Sequence, residues 1–312
     1  LGFDYGFFNE RLSGSIDLYQ RTTRDMVWEY NVPRPPYLYP TILANAGTMK
    51  NKGLEIRLSA IPVQTKNFQW VTTFNYSTNS NEVVSLSNNQ FRVESGYFYA
   101  GYLGNTIKQD THIVKEGEQM GNFYGFKSID VDENGKWIIQ GKDGNPKPID
   151  QQQQEDKMVL GNGLPKHFLS WDNTFTFKNF DLNLTMRGAF KYQILNTPRL
   201  YYEVPVSLAH GNLMATAYDP VFGKRPLNDH QELQYVSYYI ENGDFWKIDN
   251  ITIGYTLMLK DSFLKKVRVY ATANNLCTIT GYSGIDPEVN TQGLDPGVDP
   301  LNRYPSTRSF TL

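Results

Sequence analysis

Apolar and polar positions alternate along much of this chain. In residues 45–60, NAGTMKNKGLEIRLSA, a turn-rich start gives way to Leu54, Ile56, Leu58 and Ala60 interleaved with Glu55, Arg57 and Ser59. A period of two predicts a strand with one apolar and one charged face, and the apolar face can lie on a second sheet or on lipid. Similar segments rich in β-branched and aromatic residues fall near 2–8, 14–28, 52–61, 68–78, 166–177, 180–192, 245–258, 265–277 and 304–312, which makes about nine strands. Short connections (NERLS, PVQTKN, KN, KDSFLK) alternate strictly with long ones at about 29–51, 79–165, 193–244 and 279–303. Up-and-down strands with every turn short at one edge and every loop long at the other predict an all-β, antiparallel transmembrane barrel with long extracellular loops. A Greek-key sandwich gives no reason for that order, because its connections cross between sheets at both ends.

The two faces of individual strands agree with this. Leu169, Trp171, Phe175 and Phe177 oppose Ser170, Asp172, Thr174 and Thr176; Phe180, Leu182, Leu184, Met186, Gly188, Phe190 and Tyr192 oppose Asp181, Asn183, Thr185 and Arg187. With the short turns periplasmic, Phe175, Phe177 and Phe180 fall where an interfacial aromatic girdle belongs, and Phe190 with Tyr192 at the opposite rim. Two strands are less regular. Lys247 and Asp249 share a parity with Ile251, Ile253, Tyr255 and Leu257, which places them in a rim above the hydrocarbon. Gln20, Thr22 and Arg24 follow Ile16 and Leu18, so that strand's upper half projects beyond the membrane or a bulge switches its parity.

Composition narrows the function classes. Among 312 residues, charged side chains are 20% and the net charge is -2, so nothing suggests a nucleic-acid partner. No apolar run approaches the roughly 18 residues of a membrane helix, and the mean hydropathy of -0.49 is uninformative for a barrel, where alternation averages out. Cys277 stands alone and forms no internal disulfide. The opening LGFDYGFF has neither an initiator Met nor a signal peptide and reads as a cut through a longer polypeptide.

Five segments in order, NAGTMKNKGLEIRLSA, MGNFYGFKSIDVDENG, NGDFWKIDNITIGYTL, VRVYATANNLCTITGYSGIDPEV and YPSTRSFTL, resemble the C-terminal barrel region of SusC/RagA-type TonB-dependent receptors across nearly the whole chain. The resemblance implies residues 1–312 as part of a 22-stranded outer-membrane barrel, with the plug domain and N-terminal barrel strands outside this chain. It implies import of oligosaccharides or peptides, a SusD-like surface lipoprotein as lid, energy from TonB through the absent N-terminal region, and no cofactor. The chain by itself could not transport, because an open sheet edge in lipid leaves unpaired backbone groups. The ending SFTL lacks the expected terminal aromatic. On this reading Glu55, Arg57, Asp172, Asp181, Arg187 and Arg268 line the lumen, since Lys or Arg at mid-bilayer costs about 2–4 kcal/mol.

Candidate chemistry elsewhere is weaker. DVDENG puts Asp130, Asp132 and Asn134 before Gly135 as a Ca²⁺ loop opens, but the twelfth position is Gly141 instead of Glu, so an Asn-Gly hairpin is preferred. Asp286, Glu288, Asp295 and Asp299 could hold a cation, although Asp-Pro and Pro-Gly steps more often shape turns. His112, His167, His210 and His230 lack metal-ligand spacing, GNGLPK reads as a turn, and no acid pair marks an enzyme. Loop tyrosines Tyr37, Tyr39, Tyr97, Tyr99, Tyr102, Tyr201, Tyr202, Tyr235, Tyr238 and Tyr239 can touch substrate or a partner, or pack on one another. The rival readings are a secreted β-sandwich that binds carbohydrate through tyrosines and, last, a glycoside hydrolase.

Overall fold

The computed structural model describes residues 1–312 apart from 33, 105, 210 and 260–262. The chain opens as a meander of β1 (Gly2–Phe7), β2 (Leu12–Asn31), β3 (Thr41–Gln64) and β4 (Phe68–Ser85). Residues 86–166 then leave the sheet and carry β5 (Tyr97–Tyr102), β6 (Asp110–Lys115), β7 (Asn122–Gly125), β8 (Ser128–Val131), β9 (Trp137–Gln140), β10 (Pro146–Pro148) and β11 (Met158–Asn162). The hairpin β12 (His167–Phe177) and β13 (Phe180–Phe190) returns to the sheet, and residues 191–244 leave it again with β14 (Gln193–Asn196), α1 (Thr197–Tyr202) and β15 (Ile240–Asn242). Last come β16 (Phe245–Met258), β17 (Lys266–Thr280), the short β18 (Val298–Asp299) and β19 (Ser309–Thr311). The main sheet is antiparallel and nine-stranded, in the order β1-β2-β3-β4-β12-β13-β16-β17-β19. Its strands coincide in order with the nine segments that the alternation picks out.

Residues directly opposite in an antiparallel pair share a face, so the register shows how each face is built. Phe68, Phe177, Phe180 and Tyr255 stand side by side across four strands at the edge with the short turns, and Trp70 stacks on Phe175 at 5.6 Å. Above this aromatic row lie Leu182, Ile253 and Ala271, then Leu184, Ile251 and Ala273. No second sheet covers this face among the described residues: Phe177 is 50% exposed, Ile253 51% and Val269 60%. Leu54, Ile56, Leu182 and Leu184 are likewise only half-buried. Asn173 and Thr72, opposite each other, interrupt the apolar rows; the Asn173 side-chain carbonyl accepts the Trp70 indole N–H at 3.0 Å, and the Thr72 hydroxyl accepts that of Trp171 at 2.8 Å. Both indoles thus mask polar atoms that would otherwise lie bare on an apolar wall.

Three sequence-based expectations need correction. Residues 29–51 are not a long loop, since β2 and β3 continue through most of them and only 32–40 connect the pair; Trp28, Tyr30, Ala44, Ala46, Val83 and Leu86 turn their upper ends into a core that stabilises the extension. Lys247 is not on the apolar face. A bulge between Ile248 and Asn250 inserts Asp249 and switches parity, so Lys247 stands opposite Arg187 while Ile251 and Ile253 remain apolar-facing. Tyr192 leaves the apolar face too, because Lys191 adopts φ +60° and turns the chain inward, where Tyr192 is buried with Ile194, Phe245 and Tyr282. In β2, Gln20 and Thr22 keep their regular pairing with β3, and the bulge comes after Thr23.

The long connections 86–166 and 191–244 condense into one head around Phe123, Phe126, Trp137, Ile139, Leu195, Leu200, Val236 and Tyr239. Long-range burial of aromatic and branched side chains, roughly 1.5–3 kcal/mol each, makes such loops ordered.

Candidate functional site

Because side chains alternate, the other face of the sheet is polar. One row crosses six strands as Ser15, Arg57, Asn75, Ser170, Arg187 and Lys247, each opposite the next. Glu55, Asp172, Asp181 and Arg268 lie on the same face by the same register, so the structure brings all six of the expected charged residues to one surface. Arg268 donates to Asp181 across β16, Nε to Oδ1 at 3.1 Å. The pair crosses above Gly254, where a Cβ would come within 2.7 Å of that same Oδ1, so a larger residue there would push the pair aside.

Residues 281–308 fold over the upper part of this face and are held there by charge. Arg187 donates to Asp249 and, through both terminal nitrogens, to Glu288; Lys247, 2% exposed, reaches Glu288 and lies 3.4 Å from Asp286. Arg303 donates to the carbonyls of Asp286 and Glu288, and Ser306 donates to the Asp286 carboxylate. Burial pushes the Asp286 pKa up, but the hydrogen bonds from Ser306 and the Glu288 N–H, with the Lys247 and Arg303 charges, hold it below the usual carboxylate range. The acids of GIDPEV thus engage cationic side chains. Between the loop and the polar face lies a cavity of about 650 Å³ whose lining includes Glu55, Arg57, Ser170, Arg187, Tyr192 and Val289.

The same loop is fixed to the head. His112 is fully buried, its Nε2 2.9 Å from the Pro296 carbonyl and its Nδ1 2.7 Å from the Thr111 hydroxyl. Burial drives its pKa down to about 4, against smaller opposing effects from Pro296 and Asp295. Gly163 of GNGLPK lies so close to Pro296 that a Cβ would approach the Pro296 carbonyl carbon to 2.6 Å. β18 pairs in parallel with β14.

The remaining expectations sort by position. DVDENG forms the β8–β9 hairpin: Asp132 accepts the Asn134 and Lys136 N–H groups, and Gly135 takes φ +75°. His167 meets the Tyr76 hydroxyl at 2.8 Å, His230 is exposed, and His210 lies outside the described residues. Tyr37 and Tyr39 are exposed at the tip of the β2–β3 hairpin, as is Tyr102 in the head. Tyr97 and Tyr99 are half-buried beside Tyr124, and Tyr202 is exposed on α1. Tyr201 donates to the Leu103 carbonyl at 2.5 Å, and Tyr235, fully buried, to that of Thr111 at 3.0 Å. Tyr239 is buried and Tyr238 half-buried, packed together at 5.4 Å between ring centroids.

No protein-family profile matches the chain. Its whole length aligns with TonB-dependent receptor SusC of Bacteroides thetaiotaomicron at 31% identity, covering 30% of that protein, and with TonB-dependent receptor P3 of Formosa agariphila at 29%, covering 33%. A solved RagAB peptide transporter superposes with a TM-score of 0.78 over 99% of this chain and 34% of that one, at 23% identity. Over its whole length the chain is similar to TonB-dependent receptors of the SusC type. Its place is the outer membrane. It spans about a third of the length of the curated relatives it matches.

In this receptor segment, sequence reasoning found the polar face but missed what neutralises it. Lys247 and Asp249 looked like rim residues because a bulge leaves no mark in the alternation. Arg199, Glu203 and Glu241 were not singled out at all. Arg199 donates to Glu203, four residues on at helical spacing, at 2.6 Å and to Glu241 of β15 at 2.9 Å, the second a contact that no local spacing announces.

Proposed function

We propose that residues 1–312 form the C-terminal part of a 22-stranded TonB-dependent barrel, supplying wall, lumen surface and extracellular loops to a transporter that imports oligosaccharides or peptides. The apolar face then contacts lipid and the polar face lines the lumen, with Glu55, Arg57, Asp172, Asp181, Arg187 and Arg268 on the watery side. The plug and the remaining strands come from the rest of the receptor, a SusD-like lipoprotein covers the loops, and TonB supplies energy through the region preceding this chain.

The observation that carries this reading is the clean separation of two unlike faces through a nine-stranded sheet whose apolar side is left uncovered. Between Phe177 and His167, β12 rises about 33 Å at roughly 3.3 Å per residue. Tilted by about 40°, that corresponds to a height of about 25 Å, matching the apolar band of outer-membrane barrels between aromatic girdles. The lower girdle is Phe68, Phe177, Phe180 and Tyr255, and the upper is Tyr76, Phe190 and Trp246. A soluble carbohydrate-binding sandwich would enclose the apolar face, and its exposure disfavours that rival. The test is uptake of labelled oligosaccharide or peptide by cells carrying the whole receptor. Uptake should stop when TonB is deleted; TonB-independent uptake would sink the proposal.

A further inference from the structure

A second cavity, of about 680 Å³, lies between the head and the start of residues 281–308 and shares no lining residue with the cavity on the polar face of the sheet. Its inner wall holds Arg199, Glu203, Tyr238 and Tyr239, its apolar flank Met214, Val221 and Leu227, and its rim the exposed Asp219 and Ile285. We infer that this cavity binds the primary ammonium group of a ligand with an apolar body, such as the amino terminus of a short peptide. The inference rests on the reading of these loops as facing the medium outside the cell.

Charge and free valence point to that ligand. Arg199 is the only cation among the described lining residues, and it is already engaged by both Glu203 and Glu241. Burial opposes the Arg199 charge, but the two carboxylates outweigh it and raise its pKa. Glu241 is saturated by Arg199, Asn196 and Ser283, whereas Glu203 uses only Oε2 and leaves Oε1 without a hydrogen-bond partner among the described residues. The Tyr239 hydroxyl has no partner there either, although the residue is 1% exposed, and it stands within electrostatic reach of Glu203 and Arg199. A buried hydroxyl and a half-used carboxylate that line one cavity offer two acceptors to an N–H donor, and hydrogen bonds to a carboxylate are the stronger kind.

Two other ligand classes fit less well. An anion would meet a cation neutralised by two carboxylates, with Asp219 adding a further negative charge. A sugar ring needs an open aromatic face, yet Arg199 lies over the Tyr238 ring at 5.1 Å, and Trp137, Phe222 and Tyr239 pack around it at 5.2–5.4 Å.

The test is calorimetric titration of the purified full-length receptor in detergent with leucyl-leucine amide, which has one ammonium and no carboxylate. N-acetylation of that probe should weaken binding by about tenfold or more, as expected for a charge-assisted contact. Glu203→Gln should cause a similar loss and Tyr239→Phe, which removes one oxygen and keeps the ring, about a fivefold loss. Equal binding of the acetylated probe, no binding of the free amine, unchanged affinity in Glu203→Gln, or displacement by maltotetraose would each overturn the inference. Loss of amine binding with TonB-dependent uptake intact would overturn the pocket alone, and amine binding without such uptake would overturn the transport reading alone.

Discussion

Acid should loosen the joint between the head and residues 281–308 through His112. In the folded chain burial lowers the His112 pKa to about 4, whereas the unfolded chain titrates near the ordinary value of 6.5. The unfolded state therefore binds the proton more tightly, so the stability due to His112 is complete above pH 6.5 and is lost as pH falls toward 4. At pH 5 the loss is about 2 kcal/mol, and below pH 4 it approaches about 3 kcal/mol, since each pKa unit is worth about 1.4 kcal/mol. Hydrogen exchange of the full receptor in detergent, corrected for intrinsic rates, should show protection falling in residues 110–115 and 294–298 between pH 7.5 and 4.5. His112→Gln is the reference, because its amide can donate to the Pro296 carbonyl and does not titrate. The reasoning fails if wild type and variant lose protection to the same extent over that range.

The two faces of β13 give a sharper contrast in the wall: Leu184→Arg should cost about 2–4 kcal/mol in urea unfolding from liposomes, whereas Asn183→Arg, one residue away on the polar face, should change stability by less than about 1 kcal/mol. Equal effects would reject the assignment of faces. Lys247→Met should cost about 3–5 kcal/mol by leaving Asp286 and Glu288 short of a buried cation, and should be seen as faster proteolytic cleavage within 281–308 with the sheet itself intact.

How much was legible beforehand depends on the range of the interaction that fixes each part. Strand pairing along the wall is local and periodic, so Leu182, Leu184 and Arg187 announced their faces from spacing alone, and the register bears that spacing out. Deviations came where one residue breaks the period. The bulge at Asp249 and the left-handed Lys191 each moved a side chain to the opposite face without changing the composition around it. The head was opaque for a different reason. Glu241 reaches Arg199, and His112 reaches Pro296, across separations at which no period exists to be read.

These long-range contacts constrain how the receptor segment can move. Residues 281–308 are tied to the sheet by Arg187 and Lys247 through Glu288, and to the head by His112, by the parallel pairing of β18 with β14, and by the close approach of Gly163 to Pro296. A ligand that displaced this loop alone would have to separate a buried ammonium from its carboxylates, at roughly 3–5 kcal/mol, and also break the contacts to the head. Its differential affinity for the displaced state would have to exceed that sum. Motion of the head with the loop as one body keeps the head contacts, but the ion pairs to Arg187 and Lys247 still resist it. The hinge of least cost is therefore one that leaves all three parts together, with rearrangement confined to what lies beneath the loop on the polar face.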